Sequence, residues 1–406
     1  MKLLHTSDWH LGRMLYAKKE RYEEHERFLQ WLINTIKENA IDILLIAGDI
    51  FDSATPSNVS LKMYYDFLLK VRSNGCGNVV VIGGNHDSPS LLDAPREILL
   101  ALNVKVVGKA CENPKDEVFA IEDENKNPIA IICAVPFLRE RDISRFAENE
   151  TYSDRSKRIR ESLCKHYAEI AEIAKNKRDE LNKNIPIIAT GHLSVAGGKT
   201  CADDGVRDTY IGTIECIGND IFSPVFDYVA LGHFHIASAI NENVRYSGSP
   251  IPMGFGEANQ QKSVVIADFK NNTKNEMKIP LFQKMESVKG DKGSISKKLS
   301  ELKKGEESVW VEIIYDGNEL FADFQVWIDK QIAGTKIEVL KIQDKRILDK
   351  VLTQEYAANL DDLSEFDVFG KLLEDKNLPD EQKTELKELY KEVVNDLTMS
   401  ISTYLR

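Results

Sequence analysis

The chain has 406 residues, 42% of them apolar and 29% charged, with a formal charge of −12. That length predicts two or three domains, and the composition is that of an ordinary globular protein able to bury a large core. No apolar run is long enough to span a bilayer, and Lys2-Leu3-Leu4 reads as a strand rather than a secretory h-region, so a cytoplasmic protein is expected.

The acidity is uneven. Residues 351–406 carry 13 acids against 6 bases, a balance of −7, which leaves −5 on the other 350 residues. A global excess of acid therefore says little about a local groove for nucleic acid. The six cysteines are scattered, with no CxxC pair, and read as reduced thiols.

In chain order, short apolar runs rich in Ile and Val predict strands at Ile41–Ala47, Val79–Ile82, Ile129–Val135, Ile185–Thr190, Tyr228–Leu231 and Val264–Asp268. Helical spacing appears at Tyr22, Phe28, Leu29, Leu32 and Ile36, and again at Leu61, Tyr64, Tyr65, Leu68 and Leu69. A long charged helix is expected over Thr151–Asn182. The fold class is α/β, in layers. Asn271–Asn275 reads as a polar loop that closes a first domain, 1–275. Ser308–Tyr315, Glu319–Ala333 and Lys336–Ile342 predict one β-α-β unit within a small domain, 276–345, with Trp310 and Trp327 in its core. An acidic helical segment, 346–406, follows, with helices at Phe366–Leu373 and Glu381–Leu397 separated by Asn377-Leu378-Pro379.

Five blocks carry the chemistry, each at or near the end of a predicted strand: Asp8-Trp9-His10, Gly48-Asp49-Ile50-Phe51-Asp52, Gly84-Asn85-His86-Asp87, Gly191-His192 and Gly232-His233-Phe234-His235. Carboxylate and imidazole suit hard or borderline divalent cations. Asp8 and His10 alternate, as do His233 and His235, so each pair can face one side of an extended segment. Asp49 has two oxygens with which to bridge two ions, and Asn85 adds a neutral carbonyl. With His192 these make seven candidate ligands, enough for two ions that activate water and grip a phosphate. His86 is one imidazole too many for those shells and is assigned to the phosphate, as donor to the leaving oxygen. A lone Asp-x-His or Gly-Asp is usually structural; five blocks in order are not explained that way.

Together the blocks follow the pattern DxH, GDxxD, GNH[DE], GH and GHxH, and the chain resembles the calcineurin-like metallophosphoesterases. Leu4–Gly12, Ala47–Asp52, Pro136–Arg139 and Tyr246–Pro250 resemble, within that superfamily, the SbcD-type DNA-repair nuclease subunits. The resemblance covers the first 270 or so residues closely. It implies a four-layer β-sandwich flanked by helices, a small α+β capping domain and a C-terminal helical tail that docks on an SbcC-type coiled-coil ATPase. It implies one manganese on Asp8, His10, Asp49 and His235, another on Asp49, Asn85, His192 and His233, and His86 as the catalytic histidine. The implied reaction is hydrolysis of DNA phosphodiesters, exonucleolytic on duplex ends and endonucleolytic on single strands and hairpins. A homodimer through Leu61–Val71 and Leu91–Leu102, within a heterotetramer, is also implied. Some archaeal relatives carry histidine where this chain has Asp52, so a second phosphate-contacting histidine is not expected.

A phosphoesterase acting on nucleotides or other small phosphate esters is the competing enzyme reading, and a metal-free scaffold the non-enzymatic one. A phosphoprotein phosphatase fits less well, because Ser53-Ala54 stands where those enzymes usually have Arg-Gly. Arg139, Arg141 and Arg145, followed by Arg155, Lys157, Arg158 and Arg160, read either as DNA-phosphate contacts or as a solvated face paired with Glu140, Asp142 and Glu161. Val195–Thr209, with Lys199 and Arg207, is either a substrate loop or a plain surface loop. His5 and Trp9 read as core, His25 and His166 as helix surface. Leu363, Phe366, Phe369, Leu372 and Leu373 read either as a partner-binding face or as packing within the chain.

Overall fold

The computed structural model describes residues 1–144, 152–200, 217–317 and 324–344, together with the helical positions Lys383, Leu386, Lys387 and Tyr390. Two six-stranded sheets form its centre. The first runs in the order Thr273–Lys278, Ser263–Asp268, Lys2–Thr6, Ile43–Ala47, Asn78–Ile82, Val104–Val107. The second runs Ser238–Ala239, Val244–Tyr246, Tyr228–Gly232, Ile187–His192, Pro128–Cys133, Val118–Glu122. The strands that lead into the five blocks pair in parallel within each sheet, Lys2–Thr6 through Asn78–Ile82 in the first and Ile187–His192 with Tyr228–Gly232 in the second. Their carboxyl ends therefore share an edge.

Alternation along the strands builds the layers. Leu3, Leu45, Val80 and Ile82 face Ile132, Ile188 and Ala230 across the sandwich. Leu4, Leu44, Ile46 and Val81 point the other way, onto Phe28, Leu32 and Ile36 of helix Tyr22–Asn39 and Phe67 and Leu68 of helix Asn58–Ser73. The outer face of the second sheet packs on Ile159, Leu163, Tyr167 and Ile170 of helix Tyr152–Leu181. Burial on both faces explains why these strands read as continuous Ile/Val runs. The result is the expected four-layer arrangement of helices, sheet, sheet and helix.

Three expectations change. Asn271–Asn275 is not a loop throughout: its last residues open strand Thr273–Lys278, which pairs with Ser263–Asp268 along its whole length. The small unit has three strands, Lys284–Gly290, Val309–Tyr315 and Ile337–Asp344, with helices Lys292–Leu302 and Phe324–Ile332, rather than one β-α-β. The first strand and helix were missed because Lys, Ser and Gly dominate them. Trp310 is buried, yet it packs with Leu15, Phe255, Met285 and Leu340 and not in the small unit's own core. Trp327 does pack against that core.

By compactness the chain divides into Met1–Gln343 and Asp344–Arg406. Both tail helices, and the apolar residues from Leu363 to Leu373, lie outside the described residues apart from the four helical positions named above.

Candidate active site

The strand-to-loop junctions hold four of the seven donors in left-handed backbone: Asp8 at φ 54°, His10 at 48°, Asp49 at 51° and His233 at 102°. Each costs roughly 1 kcal/mol or more in a non-glycine residue, a strain that clusters at functional sites. Backbone bonds lock the turns: Asp8 N–H donates to Gly48 O at 3.0 Å, His10 N–H to Asp49 O at 3.0 Å, and Leu11 N–H to Ile50 O at 2.9 Å. The buried Asp87 carboxylate accepts from Gly84, Ile50 and Phe51 N–H at 2.9, 3.2 and 3.0 Å and so clasps two ligand loops together. Crowding dictates glycine beside the donors. A Cβ on Gly84 would lie 2.2 Å from Asp49 Oδ1, and one on Gly232 would lie 2.0 Å from Ala47 O.

All seven predicted donors converge. His10 and His235 Nε2 face each other at 3.2 Å, and ligand atoms of Asp8, His10 and His235 all lie within 4.8 Å of one another. Asp49 Oδ2 stands between the two halves, 3.7 Å from His10 Nε2 and 3.2 Å from His192 Nε2. Asn85 Oδ1 sits 2.9 Å from His192 Nε2 and 3.2 Å from His233 Nδ1. Asp8 accepts from His233 N–H at 3.0 Å, tying the first block to the last.

The outer contacts decide which ring nitrogens are bare. His192 Nδ1 donates to Ala47 O at 2.9 Å, so its Nε2 lone pair points at two acceptors, Asn85 Oδ1 and Asp49 Oδ2. His10 Nδ1 lies 3.3 Å from the Asp52 carboxylate, and His235 Nδ1 lies 3.6 Å from Glu257. Each of those carboxylates favours a proton on Nδ1, which leaves two Nε2 lone pairs opposed at 3.2 Å. At the His10–His235 junction the lone pairs have no proton between them and repel, which a cation relieves; at the His192 junction a cation or a proton must sit among the acceptors. The residues fit two divalent ions.

The protonation of His10 and His233 agrees with bare ring nitrogens. Burial pushes His10 down to about 4, partly opposed by Asp52 and Asp49. Burial, reinforced by His192, takes His233 to about 3, so both are neutral donors. His192 goes the other way: burial would lower it, but Asp49 and Asp8 together raise it to about 9, so without a cation a proton takes Nε2 and fills the place between His192, Asp49 and Asn85 that a cation would hold. Burial opposes the charge on Asp49, yet His192, His10 and His86 hold it well below the carboxylate range.

His86 stands beside this pocket, its ring centre 4.7 Å from that of His10. Its N–H donates to Asp49 Oδ1 at 2.8 Å, and its Nδ1 donates to the Asp52 carbonyl at 2.8 Å, which directs Nε2 away from the loop. Sequence reasoning missed Glu257 and its partner Lys262. Glu257 lies within the turn Phe255–Glu257, where no periodic or motif signal marks it.

The remaining candidates divide. Arg139 is partly buried behind the site, donating to Asp87 O at 3.1 Å and lying against the Phe137 ring. Arg141 is exposed, 3.8 Å from Asp142. Arg155 and Arg158 pair with Glu140 at 2.6 and 2.8 Å, which makes that part of the basic stretch an ion-paired face. Arg145 lies outside the described residues, as does 201–216 with Arg207. His5 and Trp9 are core, as expected. His25 is not on the surface: it is fully buried, its Nε2 donating to Trp9 O at 3.0 Å, because the helix turns that position inward beneath the first block. His166 is only slightly exposed and pairs with the buried Glu117 at 2.8 Å.

Two sheets delivering histidines and carboxylates to one edge, with a bridging aspartate, define a metallophosphoesterase. The family model described as calcineurin-like phosphoesterase matches residues 1–237, and a second, described as type 5 capsule protein repressor C-terminal domain, matches residues 281–377. The chain is 34% identical over 406 residues to the SbcD subunit of nuclease SbcCD from Escherichia coli K12, covering 98% of each chain. Identity is 33% over 278 residues to the SbcD subunit of Rhodobacter capsulatus and 31% over 275 residues to that of Bacillus subtilis, in both cases over 66% of each chain. The chain belongs to the calcineurin-like phosphoesterase family and, within it, to the SbcD nuclease subunits. Among the described residues no helix is long and apolar enough to cross a membrane.

Proposed function

We propose that this chain is the nuclease subunit of an SbcCD-type complex and hydrolyses DNA phosphodiesters, exonucleolytically at duplex ends and endonucleolytically at single strands and hairpins. The carrying observation is the pair of converging lone-pair junctions bridged by Asp49, with His86 alongside. Asp8, His10, Asp49 and His235 would hold one ion, and Asp49, Asn85, His192 and His233 the other, with manganese as the metal. Bound divalent ions supply Lewis acidity and bring the pKa of water toward neutrality. The chain's own residues do the rest. Asp52 and Glu257 orient His10 and His235. Ala47 O fixes the His192 tautomer. His86, anchored by the Asp52 carbonyl, donates through Nε2 to the departing oxygen. Arg139 and Arg141 supply positive charge for the DNA backbone.

Exposed apolar side chains support a homodimer through Leu61–Val71 and Leu91–Leu102: Leu69 is 54% exposed, and Ile98 and Leu100 are 74% and 49% exposed. The segment beyond 346 would dock on an SbcC-type ATPase, and the complex would work in the cytoplasm as a heterotetramer. The test is cleavage of hairpin and single-stranded DNA by the purified protein with manganese, with a chelator control. His86→Ala should abolish cleavage while retaining both ions. Turnover of p-nitrophenyl esters without DNA cleavage would replace this reading with a small-ester phosphoesterase.

A further inference from the structure

The small three-stranded unit reaches the metal pocket through a packed joint. Trp310, Met285 and Leu340 of that unit form one buried cluster with Leu15 and Phe255. Leu15 lies in the short hairpin of Met14–Leu15 and Lys19–Glu20, which follows the first ligand block directly. Tyr16, at the turn of that hairpin, stacks on Phe255 with ring centres 5.4 Å apart and planes 9° from parallel, and its hydroxyl accepts from Phe255 N–H at 3.1 Å. From the small unit, Lys341 lies over the Tyr16 ring at 4.9 Å, and Glu338 pairs with Lys19 at 2.7 Å. Tyr16 and Ala17 adopt φ 53° and 55°, so packing must hold the hairpin turn in place.

Both ends of this joint lead to one ion site. Phe255 begins the turn that carries Glu257, whose carboxylate faces His235 Nδ1 at 3.6 Å. At the start of the hairpin, Arg13 holds Asp52 at 3.0 Å, and Asp52 stands behind His10 Nδ1 at 3.3 Å. The outer partner of His192 is different in kind: Ala47 O belongs to a central strand, flanked in its sheet by Lys2–Thr6 and Asn78–Ile82.

We infer that seating of the small unit on the Tyr16–Phe255 stack positions Glu257 and Asp52, and thereby tightens the ion site of Asp8, His10, Asp49 and His235 selectively. The inference rests on the two-ion reading above. Tyr16 and Phe255 are positioning residues, with no part in the chemistry. A movement that unseats the small unit would lower occupancy of one ion and leave the other in place.

The test is titration of the chelator-stripped full chain with manganese, counting free Mn2+ by electron paramagnetic resonance. Tyr16→Ala should weaken one of two binding steps about tenfold, the scale of a lost outer-shell partner, and leave the other unchanged. Glu257→Gln should weaken the same step, and the double variant should add little. Leu340→Ala, cut from the small unit's side, should act like Tyr16→Ala and decides the matter if Tyr16→Ala does not fold. A single cooperative melt in chelator, with its midpoint well above the titration temperature, establishes folding. Two unaltered binding steps in a folded variant overturn the inference, as does equal weakening of both. Fewer than two ions in the unmodified protein would instead overturn the two-ion reading itself.

Discussion

Lys262→Met isolates the cost of an unpaired charge beneath the site. Lys262 is 7% exposed and Glu257 0%. The ammonium donates to His235 O at 3.0 Å, to Ser249 Oγ at 3.1 Å and to the Glu257 carboxylate. Methionine keeps most of the stem's packing and deletes the charge. His235 O still accepts from Ser249 N–H at 3.1 Å, so the main loss falls on Glu257, whose Oε2 keeps Met253 N–H at 3.0 Å and a long contact with the Ser249 hydroxyl at 3.5 Å. Removing one partner of a buried pair costs about 3–5 kcal/mol, most of it the desolvation of the survivor. Urea unfolding in chelator should show about that loss, a midpoint shift on the order of 1 M for a slope near 3 kcal/mol/M. Lys262→Met with Glu257→Leu should recover about 2 kcal/mol or more, because neither charge remains. Burial alone would raise Glu257, but His235 and Lys262 outweigh it and hold its pKa below 4.5. A carboxylate lowered on folding contributes above its unfolded pKa and loses that contribution as pH falls, so the gap between unmodified protein and variant should close below pH 4.5. Additive single effects, or a cost for Lys262→Met under about 1 kcal/mol, would refute the argument that this charge is sealed from water.

Gly84→Ala should weaken binding of both ions and abolish cleavage, since the new methyl would lie 2.2 Å from Asp49 Oδ1 and 2.3 Å from its nitrogen; manganese stoichiometry checks it. Asp49→Asn should likewise weaken both binding steps, whereas His233→Ala should weaken one, which a manganese titration separates. His5 and His25 are buried, and burial lowers each to about 3. A histidine lowered on folding stays neutral while its unfolded counterpart gains a proton, so stability should fall from pH 6.5 downward, by about 1.4 kcal/mol per pH unit for each. His25→Gln should therefore lose about 1–2 kcal/mol less than the unmodified protein between pH 6.5 and 5 in urea melts; parallel curves would show that His25 takes no part.

What could be read from the chain, and what could not, follows from how far each interaction reaches along it. The donors were legible because each sits within a few residues of a strand whose burial on both faces leaves an unbroken Ile/Val run, and because glycine must flank them where backbones crowd, as at Gly84 and Gly232. The sandwich was legible for the same reason. His25 was misplaced because neighbouring polar residues suggest exposure, while the helix periodicity that turns it inward is set by Phe28, Leu32 and Ile36. The strand Lys284–Gly290 was missed because alternation is weak where only Met285 and Val288 are buried. Glu257 and Lys262 left no mark at all: their meaning comes from His235, 22 and 27 residues away in sequence, and from a turn that no motif requires. An ion's inner ligands need fixed chemical types at junctions of regular structure, whereas the groups that orient those ligands need only arrive from somewhere with a carboxylate or a carbonyl. Asp52 and Ala47 O arrive from the same loop and strand as Asp49, and Glu257 from a turn beside the small unit. Groups of that outer kind can therefore change without any change in the seven predicted donors.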